Sequence, residues 1–134
     1  MRATAAAFVT LALAGCGSHG YGHDVKGFTQ EAASGADQQV LRSIATYRTT
    51  ADDKLACSLV TSHFVAIRFE GKIALCQAIA RHQDKRELPK SATVEGIAGN
   101  SATVRIAEAS ATRSLYKMKR ESGIWKIDDI VEAP

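Results

Sequence analysis

The 134-residue chain has no apolar run long enough to span a bilayer, no strong excess of charge of either sign, and no pair of cysteines at CxxC spacing. A spanning helix needs about 20 apolar residues. The best candidate, from Ala5 to Leu13, falls well short of that. The formal net charge is only +3, Arg2 contributes to it, and basic residues stand among acidic ones. No stripe would follow a phosphate backbone, which argues against nucleic acid as a partner. The one basic cluster, Lys117, Lys119 and Arg120, reads as a solvated strand face. Phosphate-cradling loops are missing as well, because Gly15, Gly17 and Gly20 follow an apolar run rather than joining a strand to a helix. Neither a Ser-His-Asp order nor a nucleophile elbow can be read, and Ser62 beside His63 makes no triad. Internal repeats are absent, and the length suits a single domain.

What the N-terminus does contain is an export pattern. Arg2 supplies a minimal positive region, the apolar stretch follows, and Gly15, Gly17, Gly20 and Gly22 would break any helix that tried to continue. The residues where the stretch ends, Leu13-Ala14-Gly15-Cys16, resemble the lipobox of bacterial lipoproteins. That resemblance implies that residues 1–15 are a signal peptide, removed in maturation, and that Cys16 carries the lipid. Small residues beside the thiol fit this chemistry, since large side chains would obstruct the scissile bond. Each buried methylene adds about 0.8 kcal/mol, and two or three acyl chains anchor firmly where one is marginal. The expected location is the cell membrane, on its extracytoplasmic face.

Residues 16–35 then read as the acylated cysteine and a Gly- and Ser-rich tether. The tether contains His19, His23 and Asp24, but acylation would remove the N-terminal amine as a ligand, so no metal site is expected. Assigning Cys16 to lipid leaves the even pair Cys57 and Cys76. An oxidising compartment permits a disulfide between them, which would clamp two consecutive helices; two buried free thiols are the alternative.

Residues 36–134 form the domain proper. Val40, Leu41, Ile44 and then Tyr47 or Arg48 recur at helical spacing within a helix read from Ala36 to Asp53. Asp52 or Asp53 can cap a second helix, with Leu55, Ala56, Leu59 and Val60 as its buried stripe. "HFVAIRFEG" reads as either a short helix or a strand, and "KIALCQAIARHQ" as a helix with Ile73, Leu75, Cys76 and Ile79 inward. Beyond Pro89 the period becomes two. "ATVEGIAGNSATVRIAE" reads as a hairpin turning at Gly99-Asn100, with Val94, Ala102, Val104 and Ile106 on one face. A third strand puts Tyr116 and Met118 on one side, and "IWKIDDIV" closes the sheet with Trp125 and Ile127 inward and Asp128 and Asp129 at its end. Three helices ahead of a four-strand antiparallel meander predict an α+β fold with the helices on one concave face of the sheet.

The paired cysteines in "ADDKLACSLVTSHF" and "GKIALCQAI", the "GNSATVRI" hairpin and the ending "LYKMKRESGIWKIDDI" together resemble the small NTF2-like lipoproteins of actinobacteria. The resemblance implies a cone whose curved sheet and helices enclose a pocket, and a tendency to pair as a homodimer through the sheet. It implies no single activity, no cofactor and no metal. The expected role is a membrane-anchored module that binds an apolar small molecule or a protein. Two other readings stay open: a pocket enzyme of the acid–base isomerase or dehydratase kind, and an accessory subunit of an envelope transport complex. Candidates for acid–base chemistry are His63, His82, Asp128 and Asp129. The enzyme would need one of them inside the cone, whereas a cone filled by Phe64, Tyr116, Met118 and Trp125, with every His and Asp outside, would rule the enzyme out.

Overall fold

A computed structural model describes residues 35–82 and 88–134. The expected signal peptide, Cys16, and His19, His23 and Asp24 of the tether therefore lie outside the described residues. The first described element, α1 (Gly35–Thr49), buries Val40, Leu41, Ile44, Ala45 and Arg48. Their spacing puts all five on one helical face. Asp37 in its first turn and Arg48 in its last complement the helix dipole. The helix stops at Thr49, four residues earlier than the sequence pattern implied.

Two short helices follow, each with its own cap. Asp52 accepts hydrogen bonds from the backbone N–H groups of Lys54 and Leu55 to start α2 (Asp53–Ser58), and Thr61 accepts from Phe64 to start α3 (Ser62–Arg68). The ambiguous "HFVAIRFEG" is thus helical. Glu70 and Gly71 then take left-handed backbone angles (φ 56° and 74°), which turn the chain into α4 (Ile73–His82). There are four helices among the described residues, one more than the periodicity marked.

Strands β1 (Ser91–Ala98), β2 (Ser101–Ala107), β3 (Arg113–Glu121) and β4 (Ile124–Glu132) form an open antiparallel sheet in sequence order. The fold is α+β. Gly99 (φ 59°) turns the first hairpin, and Ser122 and Gly123 (φ 51° and 78°) turn the last one, where two left-handed residues match the twist of the strands. Alternation sends Ala92, Ala102, Val104, Ile106, Tyr116, Met118, Trp125 and Ile127 inward, against Val40, Leu41, Ile44 and Ala45 of α1 and Phe64 and Val65 of α3.

The register shifts twice, at Glu95 between β1 and β2 and at Asp128 between β3 and β4. The second shift matters most. Because Asp128 is the extra residue, Ile127 lies opposite Met118 and Ile130 opposite Tyr116, so two isoleucines three residues apart share the inner face. The two aspartates sit in mid-strand rather than at its end. Beside the bulge, Leu59 and Thr61 exchange backbone hydrogen bonds with Ile127 (2.8 and 2.9 Å), covering part of the outer edge of β4.

Thr61 joins these features: its hydroxyl caps α3 and donates to Asp128 Oδ1 at 2.8 Å. Thr61→Val keeps the shape and removes both bonds. We expect a loss of about 2 kcal/mol, read as a lower urea midpoint at unchanged slope. A midpoint equal to that of the parent would show that neither bond matters to the fold.

Two helical stripes differ from expectation. Leu55 is 39 % exposed, and on α4 Ile73 and Ile79 are 49 % and 39 % exposed, so only Cys76 of that helix is fully buried. The helix packs chiefly on α2 and leaves much of its apolar face against a cleft or open to solvent.

Candidate ligand cleft

The ends of α1, α3 and α4 meet the start of β3 and the end of β4 around a cleft of about 470 Å³. Small-molecule sites commonly occupy 300–1,000 Å³. Phe64, Phe69, Ile79, Ala80 and Ile130 give it an apolar wall. Ile130 reaches this wall because the Asp128 bulge resets the alternation of β4. Phe64 and Phe69 pack tilted against each other, with ring centres 5.9 Å apart and planes at 59°.

At the cleft lies a buried charge. The guanidinium of Arg48, 5 % exposed, donates to both carboxylate oxygens of Glu108 at 2.7 and 2.9 Å and to the Tyr116 hydroxyl at 3.2 Å. Burial works against its charge, but the bonds to Glu108 and Tyr116 more than offset it and hold its pKa above the ordinary arginine value. A raised folded pKa gives a contribution that is complete below the unfolded pKa and fades only as pH climbs through the folded one. Arg48 therefore contributes no pH dependence across the neutral range.

This fork ties the last turn of α1 to the loop after β2 and to β3. Its Nη1 and Nη2 donors point at protein acceptors, which makes it a brace for the cleft. At the rim, Arg68 lies over the Phe64 ring at 5.8 Å and donates to the Ile130 carbonyl at 2.5 Å and to Asp129 at 3.4 Å. Its charge, too, is engaged.

The four acid–base candidates are elsewhere. His63, in the first turn of α3, and His82, the last residue of α4, are exposed. Asp128 is held by Thr61, and Asp129 accepts from Arg68 and from the backbone N–H of Ile130. None of the four lines the cleft. Phe64, Tyr116, Met118 and Trp125 are all at most 3 % exposed and fill the core. The Cys57 and Cys76 sulfurs lie 2.13 Å apart, at disulfide distance, and Cys76 belongs to the cleft wall. The helices they join, α2 and α4, are not consecutive, since α3 lies between them.

No family model, curated protein or solved structure matches the chain. Among the described residues no group of three or more His, Cys, Asp or Glu side chains could hold a metal ion, and no helix is long and apolar enough to cross a membrane.

Sequence reasoning missed the Arg48–Glu108–Tyr116 fork. One half of its signal was readable: Arg48 follows Ile44 by four residues, which puts a charge on the core stripe of α1. The other half was not, because Glu108 stands 60 residues away after a strand that carries no mark of it.

Proposed function

We propose that the chain is a lipoprotein anchored at Cys16 to the extracytoplasmic face of the cell membrane, and that its cleft binds an apolar small molecule. The observation that carries the binding reading is the cleft itself: a drug-sized volume with an apolar wall, whose Arg48 and Arg68 are engaged with protein acceptors and whose lining also holds one charge of each sign, Arg113 and Glu132. Such a wall gains by covering apolar surface. The acid–base enzyme reading has less support, since none of His63, His82, Asp128 and Asp129 lines the cleft.

Helices ahead of a four-strand antiparallel meander support the NTF2-like reading of residues 36–134. The outward face of β3 carries Lys117 and Lys119, with Lys126 across from Lys119. That face also carries Asp129 across from Lys117 and the Arg105–Glu95 pair, so homodimer pairing through it would bring together a mixed-charge surface.

The test is native mass spectrometry of the full chain, expressed in a lipoprotein-exporting bacterium and extracted in mild detergent. We expect a chain beginning at Cys16 with acyl mass on it and a releasable apolar molecule, while Cys16→Ser loses the acyl mass and leaves the membrane fraction. Acyl mass persisting on the serine variant would overturn the anchor. A chain that arrives bare and takes up no apolar dye would overturn the binding reading.

A further inference from the structure

On the inner face of the sheet, Ser114 lies directly opposite Glu132, the next inward pair after Tyr116 and Ile130. Both line the cleft. Ser114 is half-buried and Glu132 is exposed, so a molecule in the cleft can reach their polar atoms. Neither side chain has a hydrogen-bond or ion-pair partner among the described residues.

The other charges of the cleft are accounted for. Arg48 is held by Glu108, and Arg68 by Asp129 and the Ile130 carbonyl. Arg113 borders the cleft as well, but it pairs with Ala107, one step along from the inward Ser114, and alternation turns its side chain to the opposite face of the sheet. Glu132 is therefore the charge that faces the cleft without a counter-ion.

A molecule lying on Ile79, Ala80 and Ile130 would draw water away from that carboxylate, and covering a carboxylate without supplying a donor is costly. Side chains directly opposite on neighbouring antiparallel strands have Cβ atoms about 4.5–5.5 Å apart, so one ammonium group, which donates in several directions, can reach both the Ser114 hydroxyl and the Glu132 carboxylate. A ligand headed by a carboxylate would instead meet a like charge. We propose, building on the apolar-binding reading of this cleft, that its ligand carries a cationic amine, an alkylammonium ion being the simplest. The ammonium donates to Glu132 and Ser114, and the tail covers Ile79, Ala80 and Ile130. An alcohol of the same length offers the tail without the charge, and a carboxylate offers the tail with the opposite charge.

The full chain, made without export and oxidised in vitro, is loaded with an apolar dye, which decylamine, decanol and decanoate then displace below micelle-forming concentrations. We expect decylamine to bind about tenfold tighter than decanol, the worth of one charge-assisted hydrogen bond, and decanoate to bind weakest. In nitrogen-15 correlation spectra decylamine should move the amides of Ser114 and Glu132 saturably. Glu132→Gln should bring decylamine to the level of decanol, while Arg113→Gln should keep the order of the three. Equal affinities for all three would overturn the amine and leave a plain apolar site. Decanoate binding tightest, with its advantage lost in Arg113→Gln, would overturn it in favour of an anion. If the dye does not bind, or binds without moving the amides of Ile79 and Ala80, the apolar-binding reading of the cleft fails and the amine with it.

Discussion

Replacing Arg48 with methionine is expected to lower the unfolding free energy by about 3 kcal/mol, the low end for a broken buried ion pair. Methionine fills the volume of the arginine stem, so the loss is electrostatic rather than a cavity. Two groups are stranded. Glu108, 27 % exposed, can turn towards water and recover part of its hydration, while the hydroxyl of the 2 %-exposed Tyr116 loses its charged donor. That asymmetry between the partners is what keeps the value from the upper end of the range.

Glu108→Gln leaves a neutral acceptor in place and should cost less, about 1 kcal/mol. The double variant should be more stable than the sum of the two predicts, because removing both partners also removes the stranded charge. Urea unfolding of the four proteins measures all three quantities. A loss below about 1 kcal/mol for Arg48→Met would mean that the fork behaves as a solvated surface pair.

Arg48 also shows how far the sequence carries. Periodicity located α1 and left its inner stripe to end on Tyr47 or Arg48, and a charge on a stripe is informative only once its partner is known, which here is a long-range contact. The strands were legible for the opposite reason: Tyr116, Met118, Trp125 and Ile127 alternate, turns with glycine bound them, and burial follows alternation directly. The bulge at Asp128 has no local signature, so the strand was read to end at the two aspartates and alternation could not bring Ile130 to the cleft. Helix α4 failed differently. Its apolar stripe is real, but a stripe says only that a face wants cover. Here part of that cover is missing, and the incompletely covered face forms one side of the cleft. The cleft itself, being a space between elements, had no sequence mark beyond the residues that happen to face it.

Reducing the Cys57–Cys76 bridge, or replacing both cysteines with serine, is expected to cost about 3 kcal/mol, from the loop closed across a sequence separation of 19. The loss should not be uniform. A ten-residue helix is marginal by itself in water, and α4 packs chiefly on α2, which holds the other half of the bridge. By contrast, α1 and the sheet share a core that the bridge does not hold together. Hydrogen exchange with and without reductant should therefore accelerate first at α4 and least at β2 and β3. Since Cys76, Ile79 and Ala80 line the cleft, the same treatment should weaken uptake of an apolar probe there before the protein unfolds. If α4 amides keep their protection in the reduced protein, packing on α2 alone holds the helix. The bridge would then act only on the unfolded chain, and reduction would lower the urea midpoint while leaving the cleft intact.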